Sequence, residues 1–460
     1  MARDPKTTEA RRHALTRRDL LRTSAAAAAL YGGHAVAGPG MFLAPQKRDR
    51  GPQKGQLVVI YLRGGADFLN MVVPRGDGDY LAVRPTIGLK DEDGLLELDR
   101  DWGLSPTLGA LKPLWDEGHL APIVNVGSPH PTRSHFDAQD FMEFAAPGDR
   151  TQRNGWVNRY LTASTVAETG PDHYRAVAMQ RLLPRSLRGD FPVLAMSPEF
   201  GGRADTAALD AFERFYGQGD GVDAEADPMT DPAEGMEMGD AGARDHAEVF
   251  DSGAVTIETM RRFQELLAGA DADTASRHGY PSGGGGRRRS GGSSGGFAGG
   301  LLRIGQLFEA GAGLEIAGLD YNGWDHHTNQ GGLDGTHARM SRDLADSLAA
   351  FCRHLGPRLE TTTIVVMTEF GRTVAENGNR GTDHGHGGGM LLIGGGVRGG
   401  EVHGDWEGLA EADLYQGRDQ HVTTDFRDVM AEVLRERMAF EVPKDFFGDH
   451  RVKKLKLYGK

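Results

Sequence analysis

Apolar side chains along this chain come in short uninterrupted runs, and most runs empty into a polar, glycine-rich loop. Leu57–Leu62 (LVVIYL), Ala121–Val126, Arg175–Gln180, Val193–Ser197, Leu314–Leu319, Thr362–Met367 and Met390–Ile393 read as short strands. The unbroken runs among them are the pattern of parallel strands buried on both faces. Ser134–Phe144, Thr256–Ala268, Leu301–Ala310, Thr336–Leu355 and Thr424–Met438 carry a helical period. Thr423, Thr424 and Asp425 are cap-type residues at the start of the last helix. Strands alternating with helices predict an α/β fold around a mostly parallel sheet. In such a sheet ligands sit outside the carboxyl ends of the strands.

The strand ends therefore decide where chemistry is expected. Leu57–Leu62 leads into Arg63-Gly64-Gly65-Ala66-Asp67, where two glycines let the backbone turn tightly. Asp67 there either caps the next segment or faces a ligand. Ala121–Val126 leads to Ser134 and His135, at the start of a helix whose Asp137 is an acidic cap partner. A serine at a helix N-terminus faces unpaired N–H groups, which suits an anion or a nucleophile attacking one; spacing alone favours the cap. Leu314–Leu319 delivers Asp325, His326 and His327, and the two-residue period puts Asp325 and His327 on one side. Carboxylate plus imidazole is a ligand pair for zinc, manganese or iron. Thr362–Met367 delivers Glu369 and Arg372, followed by Asp383, His384 and His386. Glu369 and Arg372 either pair with each other or serve a site that this cluster completes.

Charge and composition narrow the function. The net charge is −13, and the first 37 residues hold seven basic and three acidic side chains, so the rest is more acidic still. An acidic body of this size excludes a general nucleic-acid binder. A single cysteine, Cys352, excludes a disulfide framework and a cysteine-rich metal site. Residues 1–37 have the layout of an export signal: Arg17-Arg18, an Ala-rich run, then Ala35-Val36-Ala37 before Gly38. The paired arginines resemble a twin-arginine signal, with export in the folded state to the periplasm or beyond. No later stretch is long and apolar enough to be read as a membrane span. Residues 38–55 read as a linker and 56–460 as one domain, with a flexible insertion at about 218–300 that includes an acidic stretch and a Gly/Arg/Ser-rich stretch. A protein partner for the insertion is one expectation.

RGGADFLN, SHFDAQDFME, GWDHHTNQ, TEFGRT and GTDHGHGGG occur in this order behind the leader. Together they resemble the bacterial family called domain of unknown function 1501, over about Leu57 to Phe446. That family is grouped with the alkaline phosphatase-like superfamily. The resemblance implies a three-layer α/β/α sandwich, two divalent metals (zinc, manganese or calcium), and a nucleophile at a helix N-terminus. By position, Ser134 falls at the nucleophile, and Asp67, Asp325, His327, Glu369, Asp383 and His384 fall at or near metal ligands. His384 is preferred to His386 for the last imidazole. Phe370 stands where a metal-binding histidine belongs, so a second metal needs Asp383 or His384 to replace that ligand. The implied function is hydrolysis of a small phosphate or sulfate ester. In this scheme Arg372 stabilises the transferring group and His135 is an acid/base. The alternative is a catalytically silent, exported binding or assembly protein on the same fold.

Overall fold

The structure is a computed structural model that describes residues 55–165, 175–200, 206–211, 256–282 and 294–459. The leader, almost all of the linker, the acidic stretch and the Arg287-Arg288-Arg289 triplet lie outside the described residues. The strands are β1 (Gln56–Arg63), β2 (Val72–Val73), β3 (Leu96–Glu97), β4 (Gly103–Leu104), β5 (Leu120–Gly127), β6 (Ala176–Ala178), β7 (Leu194–Ala195), β8 (Ile316–Asn322), β9 (Thr362–Met367), β10 (Gly388–Gly394) and β11 (Thr424–Asp425). Eight of them form one sheet in the order β11-β5-β10-β9-β1-β8-β6-β7. Only β10 runs against its neighbours; every other pairing in this sheet is parallel. β2, β4 and β3 make a small separate sheet. Two-residue strands are too short to leave a periodic signature, which is why this sheet and β11 were not legible in the sequence.

Successive side chains of a strand point to opposite faces, and β1 shows the consequence. Val58, Ile60 and Leu62 enter one core with Leu344, Leu348 and Phe351 of the helix Thr336–Leu355, and with Leu301 and Ile304 of the helix Ser294–Glu309. Leu57, Val59 and Tyr61 enter the other core, with Trp156 and Tyr160 of the helix Trp156–Ala163 and Val429 and Val433 of the helix Phe426–Glu436. Helices thus cover both faces, and the three-layer α/β/α sandwich is the observed fold. Cys352 is buried on the first of these faces. The glycine-rich run expected to be linker as far as Gly300 is helical from Ser294. Gly300 packs on β8, where an added Cβ would lie 2.9 Å from Leu319. The final helix begins at Phe426 because Asp425 caps it, accepting from the Arg427 N–H, while Thr424 belongs to β11.

This order brings the carboxyl ends of β9, β1 and β8 side by side. The segment between β9 and β10 folds back on itself. Gly371 N–H donates to the His386 carbonyl at 3.0 Å, and Gly385 N–H to the Gly371 carbonyl at 2.8 Å. Arg372 and His384 therefore face each other across an antiparallel bridge. Gly371 is required by close approach, since a Cβ there would sit 1.7 Å from the Gly387 carbonyl oxygen. Gly371→Ala is expected to cost about 3 kcal/mol or more, because backbone must move on both sides. Gly378→Ala, where nothing lies within 4 Å, is expected to stay within about 0.5 kcal/mol. Urea unfolding of both variants checks the contrast.

Candidate metal centre

Glu369 leaves the end of β9 and is fully buried. A buried carboxylate must be paired or hydrogen-bonded. Its Oε1 accepts from Gly64 N–H (2.9 Å), from Gln139 Nε2 (2.9 Å) and from His135 Nδ1 (2.8 Å). Its Oε2 lies 3.0 Å from the Thr368 hydroxyl, which shares its one hydrogen with the Leu62 carbonyl at 2.7 Å. Burial works against the charged form, but the bonds from His135 and Gln139 outweigh it and leave Glu369 below the ordinary glutamate range. His135 and Gln139 are one helical turn apart on the helix His135–Glu143, so both reach the same oxygen.

Three imidazoles meet beyond this carboxylate. His135 uses Nδ1 on Glu369. His384 uses Nδ1 on the Arg133 carbonyl at 2.8 Å. His327 uses Nδ1 on Asp383 Oδ1 at 2.8 Å. Each partner atom is an acceptor, so each Nδ1 carries the hydrogen and each neutral ring turns a lone pair outward on Nε2. The three Nε2 atoms converge on Asp325, which follows β8. His384 Nε2 is 3.1 Å and His327 Nε2 2.9 Å from Asp325 Oδ1, and His135 Nε2 is 3.4 Å from Oδ2. The His135 contact lacks hydrogen-bond geometry, and that buried Nε2 has no hydrogen-bond partner. Ligand atoms of His135, Asp325 and His384 lie within 4.8 Å of one another. The Nε2 atoms of His327 and His384 are 2.9 Å apart. With both Nδ1 positions already protonated, that contact needs either an imidazolium or a cation between the rings.

The charges around the cluster favour carboxylates and, in the metal-free chain, a protonated His135, whose Nε2 must give up its proton before it can bind a cation. Burial opposes ionisation of Asp325, but His135, His384 and Arg372 hold its carboxyl well below the usual carboxylate range. His327, then Asn377, lowers Asp383. The Asp325 and Glu369 carboxylates raise His135 to about 9.

Of the residues singled out in the sequence, Asp325, His327 and His384 are brought together, and the other candidates are placed differently. His135, expected as an acid/base, is a member of the imidazole cluster. Glu369 and Asp383, expected as ligands, stand one layer behind and orient His135 and His327. Asp67 is turned elsewhere: its Oδ2 is paired with Arg84 Nη1 at 2.7 Å and with the Gln330 amide, in a fully buried network. Arg372, expected to stabilise a transferring group, is buried with its N–H groups committed. Nη1 binds Asp325 Oδ1 (2.8 Å) and the Gly64 carbonyl (3.3 Å), Nε binds the Thr382 hydroxyl (3.1 Å), and Nη2 binds the Thr382 carbonyl. Glu369 and Arg372 do not pair with each other, because each has its own partners. Ser134 sits at the cap position, but its side chain makes no cap bond, and Asp137 pairs with Arg150 at 2.7 Å. The Ser134 hydroxyl is therefore not spent on the helix. His386 is outside the cluster; burial lowers it to about 4, and it packs on Tyr415. His326, on the opposite side of the chain from Asp325 and His327, is buried against Trp324 and His337. Sequence reasoning missed Gln139, Thr382 and Gln330. Only the four-residue step from His135 to Gln139 was a usable signal.

The family model described as "Protein of unknown function (DUF1501)" matches residues 122–443, and the chain belongs to that family. No curated protein matches it in sequence. Among solved structures, it is similar to the C-terminal periplasmic domain of EcEptC from Escherichia coli in complex with Zn, at 11% identity over 77% of each chain and a TM-score of 0.31. A second structure of that domain aligns at 9% identity over 90% of this chain and 92% of the other, with a TM-score of 0.35. Ps i-CgsB in complex with k-i-k-neocarrahexaose aligns at 9% identity over 88% and 76% of the two chains, with a TM-score of 0.35. No helix among the described residues is long and apolar enough to cross a membrane.

The raised His135 sets a pH dependence for the chelator-stripped protein. A folded-state value of about 9, against about 6.5 when unfolded, contributes stability that is fully present below pH ~6.5. That stability is lost as pH rises through about 9. The stability difference between the stripped wild type and His135→Asn is expected to shrink steadily across this window. A difference that does not change with pH contradicts the assignment.

Proposed function

We propose that this member of the DUF1501 family is an exported, metal-dependent hydrolase of phosphate or sulfate esters. The observation that carries the reading is the convergence of three imidazoles on Asp325, each with Nδ1 anchored to an acceptor and Nε2 directed at the carboxylate. Metal-ligating histidines are oriented in this way by a carboxylate or carbonyl behind them. His135, Asp325, His327 and His384 would hold the cation. A set this rich in imidazole suits zinc, and next manganese, better than calcium, which prefers oxygen ligands. When bound, a divalent cation polarises an ester oxygen and compensates charge on the transferring group.

The chain's own residues supply the rest of the reaction. Ser134 begins the helix that carries His135, and its hydroxyl has no cap bond. The N–H groups of His135, Phe136 and Asp137 form the open first turn, since the first intrahelical donor is Ala138. An anionic ester seated there meets those donors and the positive end of the helix. Ser134 Oγ would attack phosphorus or sulfur as the bond to the alcohol oxygen breaks, the serine proton passing on balance to the departing alcohol. A water would then cleave the seryl ester, releasing phosphate or sulfate and restoring the Ser134 hydroxyl. Arg372 keeps Asp325 in place and does not touch the substrate. The twin-arginine-like leader supports export.

Phe136 supports a second reading, a catalytically silent binding or assembly protein. It is 78% exposed one residue from His135, and an apolar side chain at a site mouth suits a docked partner.

Elemental analysis of the chain purified without chelator separates the two. The hydrolase reading expects bound metal that is lost in Asp325→Ala/His327→Ala, and hydrolysis of aryl phosphates or sulfates. Ser134→Ala is expected to lower kcat at least about 100-fold with metal content retained. Glu369→Gln is expected to weaken metal binding about 10- to 100-fold, because the acceptor that orients His135 is lost. A folded wild type with neither metal nor activity on a broad ester panel contradicts the hydrolase and leaves the binding role.

A further inference from the structure

The family resemblance implies two metals, and the residues around Asp325 do not fit a second one. Asp325 Oδ1 already receives Arg372 Nη1 at 2.8 Å, from a side chain that is 0% exposed. The next acid at a strand end, Asp67, spends Oδ2 on Arg84, also 0% exposed, and on Gln330. Its buried Oδ1 has no hydrogen-bond partner, but among the described residues no second group of three ligand-type side chains gathers around it. Both oxygens of Glu369 are spent on Gly64, His135, Gln139 and Thr368. Phe370 lies against two of the imidazoles, its ring centroid 4.9 Å from that of His135 and 5.1 Å from that of His384. An apolar ring at that place offers no donor.

The two guanidinium groups belong to one chain of bonds. Arg372 Nε donates to the Thr382 hydroxyl (3.1 Å), and that hydroxyl donates to Gln330 Oε1 (2.8 Å). The Gln330 amide donates to Asp67, which Arg84 neutralises. Arg84 is pinned further by the carbonyls of Val374 (2.8 Å) and Thr373 (3.0 Å). With Asn70 Oδ1 also bound to Arg84, each of the two guanidinium groups is held by four bonds, which fixes its positive charge in place.

We infer that this centre takes a single divalent cation, and that the Arg372 guanidinium is its permanent second positive charge, with Asp325 shared between the two. Thr382 and Gln330 are positioning residues: they hold the guanidinium, and through it Asp325. The inference rests on the metal-site reading above, and ion stoichiometry separates the failure of one from the failure of the other.

The experiment strips the full-length protein with chelator and titrates it with Co²⁺, following the visible d–d bands and counting ions by native mass spectrometry. One equivalent at saturation, unchanged by a tenfold excess of Co²⁺, is the expected result. Two equivalents in the wild type overturn the single-ion inference and leave the metal site standing. No ion on a chain that is folded by circular dichroism overturns both. Arg372→Ala is expected to bind Co²⁺ at least tenfold more weakly. Millimolar guanidinium, but not tetramethylammonium, is expected to restore binding towards the wild-type value. Loss of affinity that guanidinium leaves untouched in a folded Arg372→Ala contradicts the role of the guanidinium in holding Asp325 for the cation. If that variant does not fold, the wild-type stoichiometry decides alone. Gln330→Leu is expected to weaken Co²⁺ binding without changing the stoichiometry, and an unchanged Co²⁺ affinity removes Gln330 from the positioning role.

Discussion

A carboxylate taken out of water must have every lone pair answered, and this centre is built around that demand at Glu369. Its donors come from three separate stretches of chain: Gly64 after β1, His135 and Gln139 in the helix after β5, and Thr368 beside it after β9. Meeting the demand ties the carboxyl ends of these strands together. It also sets the His135 ring, since the nitrogen bound to Glu369 is the one that carries hydrogen. Removing the carboxylate charge would leave the three donors on Oε1 competing for a weaker acceptor, with the largest consequence at the imidazole.

A second layer of polar contacts does for Asp325 what Glu369 does for His135. Arg372 fixes one carboxylate oxygen from the buried side, and the imidazoles approach from the open side. The contrast in exposure matters. Arg372 and Arg84 are wholly enclosed, so their charges act in a medium of low polarisability and are hard to screen. Asp325, His327 and Asp383 are reached by solvent. One face of the centre is therefore permanent structure, and the other is open to solvent. The close turn at Gly371 makes this division possible, because it lets the chain return and set His384 opposite Arg372.

Much of the fold was legible because buried strands leave an unmistakable trace. LVVIYL and TTIVVM have no polar face, so they must lie between two layers of helices, and they do. The acids and histidines at strand ends were legible as a set for the same reason, since the carboxyl edge of such a sheet is where polar groups collect. What failed was the assignment of individual roles. Asp67 and Asp325 are equivalent in the sequence, each an acid just after a strand. Only the packing shows that Arg84 and Gln330 close one and the imidazoles open the other. Arg372 was read as a group for the substrate because nothing in TEFGRT reveals that Thr382 and Gly64 occupy its N–H groups. The cap expected from Ser134 with Asp137 did not form: Asp137 pairs with Arg150, and the Ser134 N–H donates to the Thr132 hydroxyl.

The sequence by itself thus determined the α/β class, the strands that carry the site, the edge of the sheet on which it lies, and the residue types available there. Those properties follow from local composition and period, which each segment carries within itself. Tertiary structure alone decided which acids face the imidazoles, which nitrogen of each ring is exposed, and which positive charge is built in. These depend on donors and acceptors that lie hundreds of residues apart in the chain, as His135 and Glu369 do. A hydrogen bond between such groups has no sequence period. It exists only when the sheet has brought the strand ends to within about 3 Å of each other's side chains.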